Sequence, residues 1–215
     1  MGTLAQKNIL ITCGPTWVPI DAVRVISNIS TGELGQRLAR EARRRGASVT
    51  VFEGPVERRM TDEGISVRPF KYYEDLMALI RSELVAEKKH YDAIFHAAAV
   101  SDYMIRNPLQ EKMKSDQTDI RLDLVPLPKL IRSLRKISTD SLLVGFKLEP
   151  DMSGDVAVGA AKGLFDAAYC DLVVANTLKE RNYLGFVVDK ERILAHDNTR
   201  QGVIDKLLDI VEKRI

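Results

Sequence analysis

The stretch STGELGQRLAREARRRGASVTVFEG, residues 30–54, sets a helix directly before a strand. Apolar residues recur at helical spacing over 32–46, the arginines fall on the opposite face, and Gly46 marks the end of the pattern. The run SVTVFEG that follows, 48–54, is typical of a strand, and so is the apolar run NILIT at 8–12. Together these three segments predict a β–α–β unit in a parallel sheet.

The rest of the chain repeats this alternation. Further strands are predicted for the runs SVRPF, DAIFHAA, SLLVGF and DLVVAN, at 66–70, 92–98, 141–146 and 171–176. Helices are predicted at 73–89, 155–169 and 199–215. We expect an α/β fold with a mostly parallel sheet and helices on both faces. The 215 residues fit a single domain, 1–215, and a polar stretch of weak periodicity predicts a long flap at about 99–120.

Composition excludes several classes of function. A net charge of +2 gives no indication of nucleic-acid binding. No apolar run approaches the roughly 20 residues that span a bilayer, so we expect no membrane contact and a cytoplasmic protein. Cys13 and Cys170 are expected to be free thiols. The three histidines do not stand at zinc-ligand spacings with the cysteines, so no protein-built metal site is expected.

The segment between the first strand and the first helix, 13–31, is far longer than the roughly 2–6 residues of an ordinary βα loop. It carries Arg24, whose planar fork suits phosphate or carboxylate, and Asn28, which can polarise a carbonyl. Ser, Thr and Gly at 30–32 leave backbone N–H groups at a helix start, an arrangement that binds phosphates. A capping box formed by Ser30 and Glu33 explains part of the same pattern, and the two interpretations can coexist.

Ligands of such sheets bind outside the carboxyl ends of the strands. Four segments are therefore predicted to meet at one edge: 13–31, 97–115, 146–150 and 175–179.

At this point the sequence resembles a known family. The run ILITCGPTWVPIDAVRVISNISTGELGQRLAREARRRGASVTVFEGP is similar to the start of phosphopantothenoylcysteine synthetase, or phosphopantothenate–cysteine ligase. This is the ligase half of the bifunctional coenzyme A biosynthesis, or DNA/pantothenate metabolism, flavoprotein family. HAAAVSDY, EKMK, LPKLIRSL, LVGFKLE and DLVVANTL follow in the family's order, so the resemblance extends over nearly the whole chain.

The resemblance implies a Rossmann-like three-layer sandwich and a two-step ligation. The carboxylate of 4′-phosphopantothenate attacks CTP or ATP to give an acyl-nucleotide and pyrophosphate, and the amine of cysteine then displaces the nucleotide. It also implies Mg²⁺ bound with the triphosphate, a homodimer, and no FMN. The flavin-dependent decarboxylase half is absent from the 215 residues, so a separate decarboxylase chain is a hypothesis.

By resemblance, Lys112 on the flap serves the first step, while Asn28 and Arg24 handle the acyl-nucleotide in the second. The predicted nucleotide-binding residues are Gly14, Ser30, Thr31, Gly32, His96, Ala97, Ala98, Asp102, Pro128 and Phe146. Of these, Asp102 is expected to accept from the ribose hydroxyls, and His96 need not be catalytic.

The chain departs from the family at three places. Ser115 follows Lys114 where the family often continues its lysine strap, and Lys129 replaces an acid of an Asn-Pro-Asp segment. Lys162 is the one candidate in a helix that carries phosphate-binding lysines in many bacterial members. These changes leave the choice of nucleotide open, with CTP favoured over ATP.

Two other functions remain open. An NAD(P)-dependent oxidoreductase would suit the helix and second strand, and Glu53 could bind a ribose, but neither a G-x-G-x-x-G nor a Tyr-x-x-x-Lys pattern occurs. A non-catalytic nucleotide-binding relative would explain the missing lysines.

Overall fold

The computed structural model describes residues 4–114, 119–150, 153–166, 169–179 and 182–215. The strands are β1 (Asn8–Cys13), β2 (Trp17–Pro19), β3 (Val25–Ser27), β4 (Ser48–Glu53), β5 (Ile65–Pro69), β6 (Ala93–His96), β7 (Tyr103–Ile105), β8 (Leu124–Pro126), β9 (Leu142–Leu148), β10 (Leu172–Lys179), β11 (Asn182–Val188) and β12 (Ile193–Asp197). The helices are α1 (Glu33–Arg44), α2 (Tyr73–Arg81), α3 (Leu130–Ile137), α4 (Gly154–Asp166) and α5 (Arg200–Glu212), and a π-helical turn, Ser82–Ala86, extends α2.

Eight strands form the central sheet, in the order β12-β11-β10-β9-β6-β1-β4-β5. The six strands from β10 to β5 are parallel, and β11 and β12 add an antiparallel edge. From β1 the chain first builds outward through β4 and β5, then crosses to β6 on the other side of β1. The order therefore reverses between β1 and β6, which is where doubly wound sheets open a crevice.

Helices cover both faces of the sheet. Leu38 of α1 and Leu207 of α5 pack in one apolar core, and Leu76 of α2, Leu134 of α3 and Ala161 of α4 pack in the other. The predicted Rossmann-like three-layer α/β sandwich is confirmed. Its strands are continuous apolar runs because both faces are buried.

Two small antiparallel pairs stand outside the main sheet. Strands β2 and β3 form a hairpin inside the long lead-in to α1, and β7 pairs with β8. We call the region from Tyr103 to Pro126, with 115–118 outside the described residues, the arm. It contains most of the predicted flap, and its first three residues are a strand rather than irregular chain. Ser115 of the predicted lysine strap lies outside the described residues.

The start of α1 differs from the sequence interpretation. The helix begins at Glu33 with Gly32 as N-cap, and the hydroxyl of Thr31, not that of Ser30, accepts from Glu33 N at 3.3 Å. Glu33 is thus the first helical residue rather than the third, and the predicted capping box with Ser30 is wrong. Gly32 has φ 72°, a left-handed conformation that glycine adopts without strain.

Within the described ranges, no helix has the length and apolarity that crossing a membrane requires.

Candidate active site at the carboxyl edge of the sheet

The crevice between β1 and β6 is lined by the ends of both strands. The two strands stay paired beyond their regular ends, because Ala97 N donates to Thr12 O at 2.9 Å and Ala99 N to Gly14 O at 2.9 Å. Ala98 N donates to the Thr12 hydroxyl at 3.3 Å. The N–H groups of Ala97 and Ala98 are therefore already used, and a ligand at this edge meets their carbonyl groups and methyl groups.

Asn28 is held across this crevice. Its Nδ2 donates to Ala99 O at 3.0 Å and to Val100 O at 3.4 Å, although the side chain itself is exposed. Both N–H groups thus point to the backbone of the β6 side, and Oδ1 has no partner among the residues that the structure describes. Asn28 therefore offers an acceptor, rather than a donor, to a ligand.

Glycines set the junction between β1 and α1. A Cβ at Gly14 or at Gly32 would lie 2.9 Å from Val56 Cγ1, so these glycines let the chain after β4 approach closely. Gly35 lies against β1, where a Cβ would come within 2.4 Å of Cys13 Cβ. The predicted phosphate-binding start of α1 is therefore packed directly onto the end of β1.

A cavity of about 1010 Å³ opens beside this junction. It lies between α1 and the loop after β4, and we call it the arginine groove for the residues Arg37, Arg40, Arg44, Arg58 and Arg59 in its lining. Asn28, Ser30 and Thr31 also line it. The predicted base and ribose contacts, His96 to Ala98, Asp102 and Phe146, are not in this lining.

Asp21 connects the hairpin to the arm, and sequence reasoning missed it. The residue is 4% exposed and accepts hydrogen bonds from the backbone N–H groups of Val23 at 2.9 Å, Arg24 at 2.7 Å and Met113 at 3.0 Å. Burial opposes ionisation, but these N–H groups and the Arg24 guanidinium outweigh it and hold the pKa of Asp21 well below its usual range.

Arg24 and Lys112 meet at this connection. Arg24 Nη1 binds Asp21 Oδ2 at 2.5 Å and Met113 O at 3.3 Å. Lys112, one residue before Met113, is exposed and forms no ion pair within the described ranges. The arm thus brings the predicted lysine beside the hairpin, and Nη1 of the Arg24 fork already has structural partners.

Asp102 also has a partner. Lys129 Nζ donates to Asp102 Oδ1 at 2.5 Å, and both side chains are more than half exposed. Lys129, one of the three departures that the resemblance implies, therefore pairs with the predicted ribose acceptor. Pro128, next to Lys129, is exposed and its carbonyl accepts from the Tyr73 hydroxyl at 3.1 Å.

His96 ends β6 in a buried position. The Thr12 hydroxyl lies 2.8 Å from Nδ1, and burial lowers the pKa of His96 to about 4. The ring is neutral at physiological pH. Gly145 of β9 is paired in register with His96, so Phe146 follows His96 at the same edge of the sheet. Phe146 packs against one apolar core and Ala98 against the other, and their contact with a base stays a prediction.

Glu53, which the oxidoreductase alternative needs, points into the protein. It is 3% exposed and accepts from Gln36 Nε2 at 2.8 Å and from Met60 N at 3.2 Å. A carboxylate so engaged is not available to a ribose. The pair Gln36 and Glu53 has no sequence signal beyond a polar residue on an otherwise apolar helix face.

Comparisons with known proteins give a consistent result. Residues 4–208 match the family described as DNA/pantothenate metabolism flavoprotein C-terminal domain. The chain is 34% identical to the coenzyme A biosynthesis bifunctional protein CoaBC of Thermococcus kodakarensis, over 99% of this chain and 53% of that protein. It is 32% identical to a cysteine/cysteine sulfinic acid decarboxylase from an unknown prokaryotic organism, over 94% of this chain and 52% of that protein.

The chain thus spans about half the length of these curated relatives. Among solved structures, the DNA/pantothenate metabolism flavoprotein from Streptococcus pneumoniae has the same fold, with a TM-score of 0.85. That match covers 97% of this chain and 100% of that one at 24% sequence identity.

Proposed function

The chain belongs to the DNA/pantothenate metabolism flavoprotein C-terminal domain family, and on this premise we propose that it joins 4′-phosphopantothenate to L-cysteine in coenzyme A biosynthesis. The reaction consumes a nucleoside triphosphate, with CTP preferred to ATP, and passes through an acyl-nucleotide. The single observation that carries the proposal is Asn28, held across the β1–β6 crevice by its bond to Ala99 O.

The first step brings two anions together. A carboxylate must approach an α-phosphate, so cations have to offset the repulsion as charge develops. The start of α1 offers N–H groups and a positive dipole end, and Lys112 on the arm lies one residue from the contact of Met113 with Asp21. We propose that Lys112 moves over the phosphates and that the arm excludes water from the anhydride.

The second step needs the amine of cysteine at the acyl carbon. Because Asn28 directs both of its N–H groups to backbone carbonyls, its Oδ1 is the group that faces the ligand. We propose that Oδ1 accepts from the incoming amine and orients it for attack. This role differs from the carbonyl-polarising one that the sequence suggests for Asn28.

Mg²⁺ is proposed to arrive with the triphosphate. In the part of the chain that the structure describes, no group of three or more His, Cys, Asp or Glu could hold a metal ion. Mg²⁺ commonly keeps several waters and binds through substrate phosphates with few protein ligands. The donor set therefore fits an ion that enters with the nucleotide and supplies charge neutralisation there.

We also propose a homodimer. Nine exposed large apolar side chains lie on the hairpin, just after it, or on the arm: Val23, Val25, Ile26, Ile29, Tyr103, Leu109, Ile120, Leu122 and Leu124. Exposed apolar side chains that form one patch mark an interface, and we propose that these do. Ile26→Asp is expected to shift the protein from dimer to monomer in analytical ultracentrifugation, whereas Val85→Asp, an exposed apolar position beyond α2, leaves it dimeric. If wild type and Ile26→Asp both sedimented as monomers, the result would contradict the homodimer.

The direct test is amide formation from 4′-phosphopantothenate and cysteine with CTP and ATP compared side by side, with pyrophosphate release as a second readout. The wild-type protein is expected to form the amide, and to do so faster with CTP than with ATP. Lys112→Ala is expected to lose pyrophosphate release. Absence of product with either nucleotide would refute the ligase. Binding of NADPH without CTP would favour an oxidoreductase, and nucleotide binding without turnover a non-catalytic relative.

Asn28→Asp separates the two steps. The aspartate has no N–H groups for Ala99 O and Val100 O and places a negative charge beside them, so the amine is no longer oriented. We expect pyrophosphate release to persist while amide formation falls by about 10²-fold or more, corresponding to ~3 kcal/mol. The trapped acyl-nucleotide is detected by mass spectrometry, and rapid amide formation by this variant would exclude the assigned role.

A further inference from the structure

The arginine groove extends well beyond the residues that the proposed reaction has used so far. It follows the outer face of α1 from Ser30 and Thr31 to Arg44. The 12 residues of α1 correspond to about 18 Å of helix. Its volume of about 1010 Å³ is at the upper end of the range for small-molecule sites. The groove can therefore hold a substantial polar group next to the start of α1.

Two of its five arginines have no carboxylate partner. Arg37 binds Glu33, Arg40 binds Asp62 and Arg44 binds Glu41. Arg58 and Arg59 are exposed, and their side chains form no ion pair within the described residues. These two guanidinium groups are free to bind an anion.

The loop that carries them, residues 54–60, is fixed at several points. Gln36 Nε2 donates to Arg58 O at 2.7 Å and to Glu53 Oε1 at 2.8 Å, and Met60 N donates to the same carboxylate. Gln36 and Glu53 are almost fully buried, where polar groups are tolerated only if they are satisfied. This network holds the loop in place. The backbone that carries Arg58 and Arg59 is therefore rigid, which favours binding because less conformational freedom is lost.

The groove opens where the triphosphate is expected. On the proposed function, a triphosphate seated on the start of α1 would have its outer phosphates beside Ser30 and Thr31, which line the groove. The resemblance implies phosphate-binding lysines in the helix that precedes β10, and this chain retains Lys162 alone there. Among the described residues, that helix therefore offers one lysine for phosphates, whereas the groove offers two arginines without an ion-pair partner.

Resting on the proposed function, we infer that Arg58 and Arg59 bind the β- and γ-phosphates and the pyrophosphate that leaves. In the first step a carboxylate oxygen bonds to the α-phosphorus, and the bond from that phosphorus to the α–β bridging oxygen breaks. The electron pair stays on the bridging oxygen, which leaves as part of pyrophosphate. Guanidinium forks donate in pairs to phosphate oxygens and stabilise this growing charge.

The first test measures binding of inorganic pyrophosphate to the whole protein by calorimetry, without turnover. The variant is Arg58→Ala with Arg59→Ala, and the matched control is Arg192→Ala, an exposed arginine on the turn between β11 and β12. The double variant is expected to bind at least about tenfold more weakly, because each lost bond to a charged group changes affinity by about that factor. The control and the far-UV spectrum stay unchanged.

The second test separates two sources of the phosphate. The KM for CTP or ATP is expected to rise in the double variant while the KM for 4′-phosphopantothenate stays constant, and lysines at both positions restore part of the loss. A rise confined to the KM for 4′-phosphopantothenate would overturn the inference, as would unchanged pyrophosphate binding or no binding by wild type. Arginine-dependent pyrophosphate binding by a protein that forms no amide would uphold the groove and refute the ligase.

Discussion

The two sides of the candidate site are built differently. On one side, the β1–α1 junction and the loop 54–60 are joined by close backbone approaches and buried polar groups, such as Gly35 against Cys13 and Gln36 with Glu53. On the other side, the arm meets the hairpin through hydrogen bonds: Met113 N donates to the buried Asp21, Arg24 donates to Met113 O, and Leu109 N donates to Ile20 O. Exposed pairs, Arg106 with Asp123 inside the arm and Lys129 with Asp102 just outside its ends, add to these. The first side has little room to adjust, while the second is joined to the hairpin by separate hydrogen bonds.

This difference fits the two tasks that the proposed reaction sets. Phosphates need groups that are held in place before the substrate arrives, because preorganised donors act most strongly. A lid needs contacts that break at small free-energy cost, and exposed ion pairs contribute about 0–1 kcal/mol each. The junction is suited to binding and the arm to closing.

Gly35→Ala tests the rigid side, the β1–α1 junction, and is expected to have the largest effect on stability. Its Cβ would lie 2.4 Å from Cys13 Cβ in the core, so the chain must shift, and overpacking of this kind costs about 2–3 kcal/mol. The measurement is the free energy of unfolding in urea.

The matched control is Gly159→Ala in α4, where a Cβ meets nothing within 4 Å. There alanine should raise the free energy of unfolding by about 0.5–1 kcal/mol, as is usual in an unobstructed helix. Equal effects of the two substitutions would show that the junction is no tighter than α4.

Asp21→Asn tests the other side, where the arm contacts the hairpin. The neutral amide is a weaker acceptor for three N–H groups and Arg24, so we expect the Met113 amide to exchange hydrogen about tenfold faster while the core amides do not change. Asp123→Asn, which removes an exposed pair with Arg106 on the same arm, serves as the control and should have little effect.

The pH dependence of this effect has a definite sign. Because the pKa of Asp21 is lowered in the folded protein, its contribution is fully present above about pH 4, the ordinary value for aspartate, and is lost as pH falls through the lowered value. The difference between wild type and Asp21→Asn should therefore be constant at neutral pH and shrink on strong acidification. A difference that grew in acid would contradict the assignment.

Lys129→Ala is expected to have the smallest effect. The exposed pair with Asp102 contributes little to stability, so the free energy of unfolding should change by less than about 1 kcal/mol. Release of Asp102 for a ribose hydroxyl should lower the nucleotide KM roughly threefold. Added salt should reduce the difference in KM between the variant and wild type, because it screens the ion pair in wild type. A higher KM would mean that Lys129 itself contacts the nucleotide.

The fold was largely predictable because buried parallel strands and amphipathic helices leave strong periodic patterns, as in NILIT and in residues 32–46. The antiparallel edge strands β11 and β12 were not predicted, nor were the short pairs in the hairpin and the arm. Three-residue strands such as β3 and β7 are too short to show a periodic pattern, and β7 pairs with β8 from the other end of the arm.

The candidate site was predictable only in part. The helix start and Asn28 stood out because an unusually long loop precedes α1. Asp21 did not, and Glu53 stood out only as a ribose candidate, because their structural roles depend on the N–H groups of Met113 and Met60, which only the folded chain brings to them. The role of Arg58 and Arg59 likewise depends on a cavity, which no local pattern encodes.

Buried His96, uncharged down to about pH 4, has a consequence for kinetics. It cannot produce an inflection in a rate profile between pH 5 and 8, the interval in which an ordinary imidazole titrates. An inflection seen there does not come from His96, whereas the second ionisation of a phosphate ester, near pH 6, falls in that interval and reports the charge state of the substrate.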